Sequence, residues 1–106
     1  MLPHDVVLVL TTVPDDERAD TLARALVEER LAACVSVQAP MRSTYQWKGT
    51  IESSLERQVV IKTVRARVPA LAARLADLHP YELPEVLVLE ADGGEAYLRW
   101  LRDAVR

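Results

Sequence analysis

Val6-Val7-Leu8-Val9-Leu10-Thr11 is the stretch on which the fold turns. It is apolar without alternation. In an extended chain successive side chains point to opposite faces, so Val6, Leu8 and Leu10 face one way and Val7 and Val9 the other. A strand that is apolar on both sides belongs in the middle of a sheet whose two faces are covered. Thr12-Val13-Pro14 reads as its break. Asp15, Asp16 and Glu17 then place negative charge where a helix N-terminus favours it. Ala19, Leu22, Ala23, Leu26 and Val27 recur at helical spacing as one apolar face, and Glu28-Glu29-Arg30 closes the helix.

Leu31 to Val37 reads as a second strand, with Ala33, Val35 and Val37 on one face and Cys34, Ser36 and Gln38 on the other. Pro40 cannot donate to a ladder, which places it on an edge strand or at a bulge. Ser43 to Trp47 resumes extended structure, and Lys48-Gly49 reads as a hairpin tip. Thr50 to Val64 returns as a long strand. Ile51, Leu55, Val59 and Ile61 share one of its faces; Glu52, Glu56, Val60 and Lys62 share the other. Pro69 suits the first turn of a second helix striped by Leu71, Ala72, Leu75 and Leu78. His79-Pro80 ends that helix. Glu85 to Leu89 reads as a last strand, and Gly93-Gly94 leads into a terminal helix with Tyr97, Leu98, Leu101 and Val105 inward.

This order predicts one α+β domain over residues 1–106: a ferredoxin-like split βαβ sandwich with an antiparallel sheet, a long β-hairpin and an extra C-terminal helix. The two internal helices cover one face of such a sheet. The apolar second face of the first and last strands calls for another cover. Further copies of the chain would supply it, so a homo-oligomer is expected.

Composition narrows the function. The net charge is −3, with 13 basic and 16 acidic residues interspersed, and no lysine or arginine run offers a phosphate-tracking surface. The central strands lack the stacking aromatics of an RNA-binding sheet. Neither a nucleic-acid nor a membrane partner is expected: no apolar run approaches the length of a span. No basic stretch followed by an apolar run and a small-residue cleavage site marks a secretory signal, and the single cysteine cannot form an internal disulfide. A cytoplasmic protein is the expectation.

The chemistry concentrates in His79-Pro80-Tyr81-Glu82-Leu83-Pro84-Glu85. Each proline fixes its own φ and biases the residue before it toward extended geometry, so an imidazole, a phenol and two carboxylates sit on a stiff elbow. No HxxxH, HxH or CxxC spacing supports a dedicated zinc site. A copper or other borderline-metal site asks for fewer preset ligands. His79 with Glu82 or Glu85, joined by Cys34 of the same or a neighbouring subunit, is the candidate metal set. On alternation, Cys34 shares a sheet face with Glu56 and Lys62, which would gather a thiol, a carboxylate and an ammonium near the oligomer interface. A catalytic reading would use His79, Tyr81 and Glu85 as base, acid and orienter. With no nucleophile elbow and no glycine-rich phosphate loop, an enzyme is not expected.

Several motifs occur in order along the chain. They are Thr11-Thr12-Val13-Pro14-Asp15, Val27-Glu28-Glu29-Arg30-Leu31-Ala32-Ala33-Cys34-Val35, and Tyr45-Gln46-Trp47-Lys48-Gly49 with Ile51-Glu52. Ile61-Lys62-Thr63, the 79–85 elbow and Tyr97-Leu98-Arg99-Trp100 follow. Together they resemble the CutA divalent-cation-tolerance family over essentially the whole chain. The resemblance implies a tight homotrimer of ferredoxin-like protomers, similar in architecture to PII signalling proteins, and a bacterial cytoplasmic role in tolerance of copper and other divalent cations. It also implies a cleft between subunits involving Cys34, Trp47, Glu56, Lys62, His79, Tyr81 and Glu85. Ser36 stands where that family commonly has asparagine, which changes the hydrogen bonding near Cys34. No cofactor is required on this reading; copper or another divalent cation is the expected ligand. The rival is a PII-like sensor whose intersubunit cleft binds a small molecule, and a third reading is an assembly scaffold.

Overall fold

The computed structural model describes residues 5–106; His4, expected to be solvated beside the terminus, lies outside the described residues. The elements are β1 (Val6–Pro14), α1 (Arg18–Glu28), β2 (Cys34–Trp47), β3 (Thr50–Val64), α2 (Val68–Leu78), β4 (Leu87–Glu90) and α3 (Glu95–Ala104). The strands form one antiparallel sheet in the order β2-β3-β1-β4. This is the split βαβ, ferredoxin-like arrangement with a long hairpin and an additional terminal helix.

The doubly apolar β1 lies inside the sheet, between β3 and β4. It does not break at Thr12. Thr12, Val13 and Pro14 stay in the ladder opposite Gln58, Arg57 and Glu56. Proline is tolerated there because it is the last residue of the strand, and its carbonyl accepts the Asp16 N–H at 2.9 Å to start the turn into α1. The second strand starts later than its apolar run. Arg30 adopts φ 58°, and the Leu31 and Ala32 N–H groups both bond the Leu26 carbonyl. These residues finish the end of α1, so β2 opens at Cys34. The last strand shifts from the expected 85–89 to Leu87–Glu90, because Glu85 turns its carboxylate onto Gln58 and stays with the elbow.

Pro40 sits at a bulge on an edge strand. Cys34, Ser36 and Val37 pair with Lys62, Val60 and Val59, whereas Pro40 and Met41 pair with Arg57 and Glu56, a register shift between Val37 and Pro40. The extra residue flips the alternation of β2. Even-numbered residues share the Lys62 face before the bulge, and odd-numbered residues share the Glu56 side after it. Met41, Ser43, Tyr45 and Trp47 therefore stand on the same side as Glu56. At the tip, Lys48 (φ 49°) and Gly49 (φ 81°) make the two-residue left-handed turn that suits the twist of a hairpin.

The two faces of the sheet differ in cover. On one, Val7, Val9, Val13, Val59 and Ile61 pack with Leu22 and Leu26 of α1 and Leu71 and Leu75 of α2, all of them buried. Each such leucine contributes about 1.5–3 kcal/mol by leaving water. Thr63 is fully buried here and donates to the Leu31 carbonyl at 2.7 Å. On the other face α3 covers one end only, placing Leu101 and Val105 against Val6, Ala33 and Val64. Tyr97, expected inward, is half-exposed and reaches over Lys62. The rest of that face is open. Reading across from β4, Leu89-Leu8-Lys62-Cys34 form one row and Leu87-Leu10-Val60-Ser36 the next. Leu87 and Leu89 are 53% and 45% exposed.

Ile51 and Leu55, on the same side of β3 as Val59 and Ile61, are exposed. The hairpin carries them past the helix layer, in a molecule 45 Å long and 24 Å across. Among the described residues no helix is long and apolar enough to cross a membrane.

Candidate functional site

The end of α2 aims the elbow. Pro69 sits in the first turn of α2, and its last bond runs from the His79 N–H to the Leu75 carbonyl at 2.8 Å. His79 then turns extended (φ −81°, ψ 134°) ahead of Pro80, as a residue before proline should. The turn drives its imidazole inward, where it is 8% exposed. Nε2 lies 2.8 Å from the Thr12 carbonyl and 3.2 Å from Thr11 Oγ1. Nδ1 accepts the Tyr81 N–H at 3.2 Å. A carbonyl on one nitrogen and an N–H on the other fix the neutral Nε2–H tautomer. Burial lowers the His79 pKa below its ordinary 6.5, opposed by the Thr12 bond and the Glu56 charge.

From this pin the elbow reaches the hairpin base. Tyr81 packs against the imidazole with ring centroids 4.9 Å apart and donates its hydroxyl to Glu56 Oε2 at 2.7 Å. Burial, then the bond to Glu56, raise the Tyr81 pKa well above the usual phenol value. Gln58 bridges β1 and the elbow: its Nε2 donates to the Thr11 carbonyl at 2.6 Å and to Glu85 Oε2 at 2.9 Å. Each carboxylate of the Glu56–Glu85 couple thus has one oxygen held by the fold.

These residues wall a cleft of about 800 Å³ between hairpin and elbow. Met41, Tyr45 and Trp47 line one side, and Pro80, Tyr81, Glu82, Leu83 and Glu85 the other, with Glu56 and Gln58 at the base. At the rim Lys48 stands 5.4 Å from the Trp47 ring centroid and 3.6 Å from Glu82.

The expected site residues fall into two groups. Trp47, Glu56, Tyr81, Glu82 and Glu85 line the cleft, with His79 behind them as their support. Cys34 and Lys62 sit elsewhere on the sheet. They face each other across the β2–β3 ladder, and Lys62 Nζ donates to the Tyr97 hydroxyl at 3.4 Å. Cys34 is a free, half-buried thiol 3.9 Å from Ser36 Oγ. Sharing a face did not bring Cys34 and Lys62 to Glu56 within one chain, because six positions of β3 separate Lys62 from Glu56, about 20 Å. Among the described residues no three His, Cys, Asp or Glu side chains converge as a metal cage. Sequence reasoning missed Gln58, Met41 and the backbone of Thr11 and Thr12. The signal for Gln58 was available: it follows Glu56 by two on one strand face.

Residues 7–104 match the CutA1 divalent ion tolerance protein family. The chain belongs to that family. The divalent-cation tolerance protein CutA of Pectobacterium atrosepticum is 45% identical over 103 residues, covering 96% of this chain and 94% of that protein. The Thermus thermophilus protein of the same description is 45% identical over 97 residues, covering 91% and 94%. In three dimensions the chain superposes on CutA from Xylella fastidiosa with a TM-score of 0.92 at 43% identity, covering 96% of this chain and 99% of that one. The CutA name describes tolerance of divalent cations. It identifies a link to metal ions and names no reaction.

Proposed function

We propose that the chain acts as a cytoplasmic homotrimer in divalent-cation tolerance, as a binding protein rather than an enzyme. It holds copper or a related divalent cation in the cleft between hairpin and elbow, where a neighbouring copy closes it. The observation that carries this reading is the lining. Glu56, Glu82 and Glu85 all face the cleft, and among the described residues no lysine, arginine or histidine lines it. Carboxylate oxygens with one lone-pair side still open suit a divalent cation. Glu85 and Glu82 are the ligands in reach. His79 serves a metal only by giving up the Thr12 carbonyl or the Tyr81 N–H, and Cys34 serves it only from a neighbouring copy. The cation is cargo, and the fold closes without it.

One observation favours the PII-like alternative. The cleft is roomy for a bare ion and carries three aromatic rings, Tyr45, Trp47 and Tyr81, the lining of a small-molecule site.

Competition with a chelator of known affinity under reducing conditions separates the two. Wild type, Glu85→Gln, His79→Ala and Cys34→Ser are compared as intact oligomers. Copper binding tighter than micromolar and lost in Glu85→Gln supports the metal reading. Weak binding, equal in all four, sinks it in favour of a small ligand.

A further inference from the structure

The end of the sheet far from the cleft holds a second cavity. Val6 pairs with Val64 at that end of β1 and β3, and Pro14 pairs with Glu56 at the other. The length of β1, about 26 Å, separates the two. Asp5, the 65–67 turn and the last turn of α3 border about 460 Å³ there. Arg67, Arg102 and Arg106 line it with one acid, Asp5, and Val64, Ala66 and Val105 supply apolar wall.

The three arginines are held in different ways. Arg102 forks onto Asp5 through Nε and Nη2, at 3.0 and 2.7 Å, which neutralises the acid of the lining. Arg106 meets Asp103 at 2.8 Å in a pair open to water, and such a pair holds it weakly. Arg67 donates Nε to the Val105 carbonyl at 2.9 Å. That bond satisfies a carbonyl at the end of α3 and fixes the guanidinium. It leaves Nη1 and Nη2 without a hydrogen bond among the described residues. Among those residues Arg30, Arg42 and Arg67 are the arginines with no carboxylate partner. Arg30 and Arg42 are exposed, whereas Arg67 is half-buried against the cavity.

A capping role would be complete with the Nε bond alone. A partly desolvated cation without a counter-charge is unfavourable, and a fork with both amino groups open matches the paired oxygens of a phosphate or carboxylate. Charge and volume choose between them. Three arginines against one acid favour a dianion. The cavity is roomy for a bare oxyanion and has the size of a small-molecule site, with an apolar wall for the remainder of the ligand.

We propose that this cavity binds a small phosphate monoester, its phosphoryl oxygens on Arg67 and its organic part against Val64, Ala66 and Val105. Arg106, loosely paired, adds a second cation. The site is distinct from the cleft and independent of the cation reading given to it.

Phenyl phosphate titrated into the isotope-labelled full chain tests the site, read by the amide shifts of residues 64–67 and 102–106. Saturable shifts confined to those segments are expected, with binding several-fold tighter than that of inorganic phosphate or benzoate. Arg67→Lys keeps the charge and loses the fork, and should weaken binding about tenfold. Ala66 lines the cavity from an exposed position, so changes there spare the Arg67 bond that caps α3. Ala66→Glu should abolish binding and Ala66→Lys should tighten it, with circular dichroism unchanged in both. No saturable shift, equal binding by Ala66→Glu and wild type, or equal affinity for benzoate or inorganic phosphate overturns the proposal.

Discussion

The two faces of the sheet are built from the same strands and fare differently. The valines at 7, 9 and 13 meet two helices and are fully buried. The leucines at 8 and 10, interleaved with them, lie on the face that one short helix covers at one end only, and remain partly open. One face is covered by its own chain and the other is left largely open. The candidate site residues follow the less covered side. Glu56, Gln58, Tyr45 and Trp47 lie on it, Lys62 and Cys34 lie on it, and the elbow bends around its edge. With copies of the chain covering that face, as proposed, binding clefts would form where the copies meet.

This contrast can be broken by substitution. Leu75→Ala on the finished face should cost about 2–5 kcal/mol through a cavity the packed layer cannot close, read as a drop in the urea midpoint at every protein concentration. A loss well under 1 kcal/mol would mean that the helix layer is not the core. Tyr81→Phe should cost about 1.5–3 kcal/mol, because it removes a hydroxyl donor from a buried carboxylate, and it should loosen the elbow in hydrogen exchange. Leu89→Ser on the open face should cost the isolated chain less than about 1 kcal/mol, since only part of its area leaves water. Its effect should grow with protein concentration as assembly sets in. A loss independent of concentration would erase the distinction between the faces.

The smallest effect is a pH slope. Burial holds the His79 pKa below 6.5, so the unfolded chain binds the proton more readily. The stability from neutral His79 is complete above pH 6.5 and is lost as pH falls through that value and then through the folded pKa. The urea midpoint of wild type should fall on acidification below pH 6.5, and His79→Gln should flatten part of that fall. An unchanged slope in the variant would place the titrating group elsewhere.

Much of this architecture was legible in residues whose local chemistry has few solutions. The doubly apolar Val6–Leu10 run, the Lys48-Gly49 tip, Pro40 at a bulge and the Pro69-to-His79 helix each follow from alternation, φ limits or a missing N–H. What stayed hidden depended on register. The bulge at Pro40 was readable, yet its consequence, the flip that sets Tyr45 and Trp47 beside Glu56, needs the pairing partner of each residue. His79 attracted a metal reading as an imidazole among carboxylates. Its acceptor is the Thr12 carbonyl from a distant strand, and backbone acceptors leave no mark in side-chain patterns. Glu56 and Lys62 shared a face as expected, but alternation carries no information on distance along the strand.

Cover of the open face by copies of this chain is the decisive proposal. Sedimentation equilibrium of wild type over a dilution series tests it most directly. The predicted result is a mass three times that of the 11.9 kDa chain, holding well below micromolar concentration. A mass of one chain at every concentration would contradict it.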